Sequence, residues 1–185
     1  MKSLTLKSNK KIYIFDDVFS ITQQRHFKDF AQDCFLKPAG RSTHAWEHNG
    51  VFLLAKFTPK DLENFKLLEN KNHEIDPILS LIGAKTIERA WILFSDLSTK
   101  IHYHTDVSLD SPRAYSLLYY VNLEWKDHWG GETIFADEDG EAEIAVSYKP
   151  GRLVLFDSTI NHKAACISAD APYRYTFNCV FKSEQ

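Results

Sequence analysis

The rhythm of apolar positions changes near residue 85. Before that point several stretches repeat at helical spacing. Phe27, Phe30, Ala31, Cys34 and Phe35 fall at offsets of 3, 4, 7 and 8 behind Ser20, a good N-cap residue. They predict a helix over 20–36 that stops before Pro38-Ala39-Gly40. Thr58 followed by Pro59 reads as a cap with proline at the first helical position, opening a helix over 59–69 striped by Leu62, Phe65 and Leu68. A shorter helix over 76–81 is closed by Gly83, and β-type runs lie at 11–15 and 51–57.

Beyond residue 85 the pattern is a series of short β-type runs at 87–94, 113–123, 132–135, 142–148, 153–156, 163–167 and 173–181. Turn residues separate them: Asp110-Ser111-Pro112, Gly130-Gly131, Asp139-Gly140, Pro150-Gly151 and Asp170-Ala171-Pro172. Nothing helical lies between these runs, which excludes a parallel sheet built from crossover helices. The expected fold is mainly β with flanking N-terminal helices, a sandwich or jelly roll of two facing sheets. Helices 20–36 and 59–69 should buttress the larger sheet. The glycines of the 130–131 and 150–151 turns are expected to serve the fold and to touch any site only indirectly. With no repeat or linker-like stretch, one domain over 1–185 is expected, with supporting helices and strands over 1–84 and the β core over 85–182.

Composition narrows the class of partner. The chain is 44% hydrophobic and 14% aromatic, ample for a core, which excludes disorder. A net charge of −3 and a pI near 6.2 give no electrostatic case for nucleic acid or an anionic membrane. No apolar run approaches the ~20 residues that span a bilayer, and the basic start lacks the apolar centre of a signal peptide. Cys34, Cys166 and Cys179 are odd in number and lack CxxC spacing, so the expected compartment is the reducing cytoplasm.

Chemistry concentrates in a few positions. His26, His44, His48, His73 and His128 lack partner spacing and read as surface or packing residues. His104 and Asp106 are two apart, so on an extended segment they share a face, and His162 opens a later strand. Two imidazoles and a carboxylate on one octahedral face leave three positions open, which suits ferrous iron in non-haem oxygenases. Arg174, Thr176 and Asn178 share one face of an apolar strand, and Ser116, Leu118 and Tyr120 share a face of another. A guanidinium directed into an apolar interior calls for an anion, and the arginine fork suits a carboxylate. Two other readings stand beside this one. His102, His104, Glu132 and His162 imitate the three-histidine, one-glutamate set of cupins, and a metal-free β-sandwich that only binds a partner would need none of these residues.

In order along the chain come His104-Thr105-Asp106, Tyr119-Tyr120-Val121-Asn122-Leu123-Glu124-Trp125, Trp129-Gly130-Gly131-Glu132-Thr133-Ile134-Phe135, Pro150-Gly151-Arg152-Leu153-Val154-Leu155-Phe156, His162 and Arg174-Tyr175-Thr176. This arrangement resembles the 2-oxoglutarate- and Fe(II)-dependent dioxygenases, most closely the prolyl-4-hydroxylase-like branch, over residues 85–182, about half the chain. The resemblance implies a double-stranded β-helix, with Fe(II) held by His104, Asp106 and His162. It implies that Arg174 grips the distal carboxylate of the co-substrate 2-oxoglutarate, assisted by Tyr120 and Thr176, with ascorbate as an optional reductant. The implied reaction uses dioxygen to hydroxylate an unactivated C–H bond, releasing succinate and CO2. The expected target is a prolyl residue in a peptide or protein, and the alternative is a free amino acid or small metabolite. Arg174 stands where collagen-type enzymes carry lysine, and Asp106 stands where related halogenases carry a small residue, which disfavours halogenation. Loops 39–49 and 124–129 are expected to form the substrate rim.

Overall fold

A computed structural model of the chain describes residues 1–34, 37–38, 53–57, 75–99, 101–111 and 113–183. The helix expected over 59–69 and the loop 39–49 lie outside the described residues. Eleven strands are seen among the described ones: β1 Lys2–Thr5, β2 Lys11–Phe15, β3 Lys37–Pro38, β4 Leu53–Phe57, β5 Ala84–Ser95, β6 Ala114–Tyr120, β7 Thr133–Ala136, β8 Ala142–Val146, β9 Leu153–Asp157, β10 His162–Ala164 and β11 Arg174–Ser183. They form an eight-stranded sheet in the order β1-β2-β9-β6-β11-β5-β4-β3 and a three-stranded sheet in the order β10-β7-β8. Every ladder is antiparallel.

Helix α1 spans Ile21–Asp33 and lies on the outer face of the large sheet. Its start follows from the sequence: the Gln23 amide donates to Ser20 Oγ, and Gln23 Oε1 accepts from the Ser20 amide at 2.8 Å, a reciprocal box that satisfies two otherwise orphaned donors. It ends at Asp33, earlier than the apolar stripe predicts, because Cys34 is already extended. Phe27 and Ala31 are buried against Tyr119 and Phe177, with Phe27 4.7 Å from the Tyr119 ring centre. Gly151 lets the helix sit close: its φ is +73°, and a Cβ there would lie 2.8 Å from Gln24 Oε1.

Strand β6 is buried at every position because it is covered on both sides. Leu117 and Tyr119 face the helix, while Leu118 and Tyr120 face the small sheet with Ile12, Val154, Phe156, Phe135 and Val146. The run expected to reach residue 123 stops at Tyr120, since Asn122 turns to bond the start of β11. Strand β1, with Leu4 the only apolar residue among its four, carries no β signal of its own, and edge pairing with β2 creates it. The alternation along β11 directs Arg174, Thr176 and Asn178 to the inner face between the sheets, in register with Ser95, Leu93 and Trp91 of β5.

Candidate active site

His104 lies on an extended segment that meets the first residue of β10. The two residues exchange both backbone bonds, His104 amide to His162 carbonyl at 3.0 Å and the reverse at 2.9 Å. Such a pair sets the two side chains side by side, and the imidazole centres are 4.4 Å apart. Each ring is fixed by the same device. Nδ1 of His104 donates to the carbonyl of His102, and Nδ1 of His162 donates to that of Ile160, both at 3.0 Å. A carbonyl only accepts, so each Nδ1 carries a proton, which leaves Nε2 as the ligand atom of the neutral ring. Those Nε2 atoms lie 4.0 and 3.7 Å from the Asp106 carboxylate oxygens.

The carboxylate is held just as firmly. Ser116 Oγ on β6 donates to Asp106 Oδ2 at 2.5 Å and is 2.8 Å from Ser158 Oγ, which completes the relay. The Asp106 amide donates to the Ser158 carbonyl, and its own carbonyl accepts from Arg89 Nη2. One ligand-type atom from each of His104, Asp106 and His162 therefore falls within 4.8 Å of the others. All three turn a metal-ligand type of atom into the same small space, an arrangement suited to a divalent cation. Phe156 packs edge-on against His162 at 4.7 Å, keeping that side dry. Among the described residues this is the only such cluster, and neither His102 nor Glu132 belongs to it. The cupin-type set is therefore not assembled: His102 is exposed, and the inter-strand bridge selects His104 instead.

Arg174 occupies the far end of the same inner face and is 2% exposed. Its Nε donates to the Gly131 carbonyl at 3.0 Å, and its guanidinium lies 4.9 Å from the Tyr148 ring centre and 5.7 Å from that of Tyr120. No carboxylate within the described residues forms an ion pair with it. Burial pulls its pKa below the ordinary arginine value, with Tyr148, Tyr120 and Glu132 opposing that shift. The two phenol rings stack at 4.4 Å, 14° from parallel, and burial pushes both hydroxyls upward, so they remain protonated donors. Thr176 is directly opposite Tyr120 in the sheet, and the Tyr120 hydroxyl meets Thr133 Oγ1 at 2.7 Å.

Several contributors went unnoticed in the sequence. Asn122 clamps the backbone on both sides of Arg174: its Nδ2 donates to the Tyr173 carbonyl and its Oδ1 accepts from the Tyr175 amide. The Tyr148 hydroxyl joins that clamp, 2.6 Å from the Tyr175 carbonyl. Gly131 is more than a turn residue, since a Cβ there would lie 3.2 Å from Arg174 Cδ and from Trp125. The loop 124–129, expected at a substrate rim, packs Trp125 against Tyr148 and buries Trp129, so much of its aromatic surface backs the arginine pocket. Asn122, Trp125 and Gly131 stand within the motif runs of the sequence without a role of their own, and strand alternation points to Tyr148, two residues from the buried Val146.

The model of the 2OG-Fe(II) oxygenase superfamily matches residues 90–182, half of the chain. The chain belongs to that superfamily. The 2OG-Fe(II) oxygenases use ferrous iron and 2-oxoglutarate, and both ends of the inner face offer groups suited to them. A prolyl-4-hydroxylase from Pseudomonas putida aligns with a TM-score of 0.68 at 16% identity, covering 96% of this chain and 95% of its own. A Trichoplax adhaerens prolyl hydroxylase, solved with a hypoxia inducible factor oxygen degradation domain peptide fragment, gives 0.71 at 15%, covering 94% and 84%. HygX from Streptomyces hygroscopicus, solved with nickel and 2-oxoglutarate, gives 0.66 at 10%, covering 94% and 83%. Among curated proteins none matches by sequence. At these identities the structural likeness establishes the double-stranded β-helix fold of this oxygenase. No helix among the described residues is long and apolar enough to cross a membrane.

Proposed function

We propose that this oxygenase is a hydroxylase in which His104, Asp106 and His162 hold Fe(II), while Arg174, with Tyr120 and Thr176, receives the distal carboxylate of 2-oxoglutarate. The observation that carries the reading is the convergence of three lone-pair donors at one end of the inner face, with a buried guanidinium lacking a carboxylate partner at the other. Iron and 2-oxoglutarate, when bound, couple decarboxylation of the co-substrate to succinate and CO2 with insertion of one oxygen atom of O2 into a substrate C–H bond. The chain's own residues do the positioning. The Nδ1 bonds to the carbonyls of His102 and Ile160 fix the imidazole tautomers, and Ser116 and Ser158 fix the carboxylate. Arg174 selects an acid with a second carboxylate, while Phe156, Tyr120 and Tyr148 exclude water from the space beside it. Ascorbate fits as an optional reductant.

The substrate favoured is a prolyl residue in a peptide or protein, supported by the likeness to the P. putida and T. adhaerens prolyl hydroxylases. The chain is read as one unit, which the pairing of β2 with β9 and of β4 with β5 supports, since both halves contribute to one sheet. Three free cysteines are consistent with a cytoplasmic location. The test is anaerobic loading with Fe(II) and 2-oxoglutarate, then oxygen, with succinate measured against Pro-containing peptides and free amino acids. A peptide that stimulates succinate release and gains one oxygen atom supports the prolyl reading. Stimulation by free amino acids alone refutes it.

A further inference from the structure

We propose that Arg89 and Lys56, flanking Trp91 on the inner face, form a subsite that binds a carboxylate of the substrate; this rests on the hydroxylase reading above and names its substrate class. Strand register places the three together. Arg89 and Trp91 stand opposite Val180 and Asn178 of β11, so they share the inner face with Thr176 and Arg174, and Lys56 on β4 stands opposite Trp91. Lys56 and Arg89 are therefore diagonal neighbours, about 7–8 Å apart at the backbone, which two long cationic side chains can span to reach one carboxylate. The Arg89 guanidinium lies 5.4 Å from the Trp91 ring centre, and one of its Nη groups donates to the carbonyl of Asp106. That tie places the positive charge beside the metal-binding loop while leaving the rest of the fork available.

Charge makes this placement informative. The chain carries a net charge of −3, yet neither Arg89 nor Lys56 has an acidic partner among the described residues. Lys182, farther along β11, is by contrast paired with Glu88 at 3.6 Å. Two exposed cations without a carboxylate partner among the described residues therefore border a half-buried indole, and one of them bonds the backbone of the candidate ligand Asp106. The indole supplies an apolar floor for a carbon skeleton, and the cations fix an anionic end. An anion held by Arg89 would be tied through the guanidinium to the Asp106 backbone, next to a candidate metal ligand. Both an amino acid α-carboxylate and an acidic residue flanking a peptide proline present this chemistry.

The test is calorimetry on the full chain under anaerobic conditions, with Mn(II) in place of iron and 2-oxoglutarate present. The ligands are paired: free amino acids against their α-carboxamides, and end-blocked Pro-containing tetrapeptides flanked by Glu against the same peptides flanked by Gln. The tightest ligand should be a carboxylate, bound roughly ten- to hundredfold more strongly than its amide twin. Which arm contains it identifies the source of the carboxylate. Arg89→Gln and Lys56→Gln should each erase the preference while sparing the affinity of the amide. The Lys56 side chain, unlike that of Arg89, is not bonded to the Asp106 loop, so Lys56→Gln keeps the test decisive if Arg89→Gln disturbs that loop. Equal binding within every pair, no binding by any pair, or a preference that survives both substitutions overturns the proposal. Failure of the wild type to take up Mn(II) and 2-oxoglutarate would instead refute the hydroxylase reading beneath it.

Discussion

Replacing Arg174 with methionine separates the fold from co-substrate recognition. Methionine keeps the length of the side chain and removes its charge. Two effects on stability then oppose each other. Removing a guanidinium that is 2% exposed and has no carboxylate partner relieves a desolvation cost of several kcal/mol. Losing the bond to the buried Gly131 carbonyl costs about 1–3 kcal/mol. The balance leaves Arg174→Met folded, with a melting temperature within several degrees of wild type, at about 2–4 °C per kcal/mol for a chain of this size. Binding has no such compensation. Truncating one partner of a buried charge pair costs about 2–5 kcal/mol, so 2-oxoglutarate affinity should fall roughly 30- to 4000-fold. At a concentration 100 times the wild-type Kd, the ligand stabilises wild type by about 2.7 kcal/mol, a shift of roughly 5–11 °C. At that concentration the variant should shift by less than about 4 °C. The control is 2-oxobutyrate, which lacks the distal carboxylate and should bind both proteins equally. A variant that keeps the full 2-oxoglutarate shift, or loses 2-oxobutyrate binding in parallel, refutes the role assigned to Arg174.

Four further outcomes are expected. Alanine at His104, Asp106 or His162 should abolish tight iron uptake, measured by anaerobic dialysis, with His104→Ala the least disturbing to the fold because its side chain is the most exposed of the three, 20% against 6% for each of the others. Tyr148→Phe should weaken 2-oxoglutarate binding less than Tyr148→Leu, since phenylalanine keeps the ring beneath the guanidinium and loses only the hydroxyl's bonds to Asn122 and the Tyr175 carbonyl; calorimetry ranks them. Ser116→Ala leaves one Asp106 oxygen without its donor, so iron affinity should fall by about an order of magnitude, read by competition with a chelator. The forked bonds from Arg152 hold the Asp16 carboxyl below its ordinary 3.8, so that tie between β2 and β9 stabilises the fold above that pH and is lost as pH falls through the depressed value. Asp16→Asn should therefore melt lower than wild type at pH 7, and the gap should close in acid; an undiminished gap would contradict the ionic origin.

Much of this could be read from residue order because the physics was local. The α1 start rests on Ser20 and Gln23, three residues apart, and the β-type runs are bounded by glycine and proline turns whose effect needs no distant partner. His104 and Asp106 were legible as a pair because strand alternation fixes what lies two residues away. Strand alternation alone leaves His102 and His104 equivalent; the motif resemblance points to His104, and the physical reason, its backbone bridge to His162, lies 58 residues further on. The same holds for Asn122, whose side chain reaches across 51 and 53 residues to steady Arg174, and for Gly131, whose carbonyl meets a guanidinium 43 residues away. Strand β1 was missed for a related reason: its pairing with β2, not its own composition, makes it a strand.

In the proposed site, iron at His104, Asp106 and His162 is coupled to 2-oxoglutarate reaching to Arg174. The most direct test is anaerobic equilibrium dialysis of Fe(II) against the full chain, with and without 2-oxoglutarate. One iron per chain is expected, bound more tightly when 2-oxoglutarate is present. His104→Ala should remove the iron, and Arg174→Met should remove only the tightening. Iron uptake that is absent, or that is indifferent to both substitutions, would contradict the proposed site.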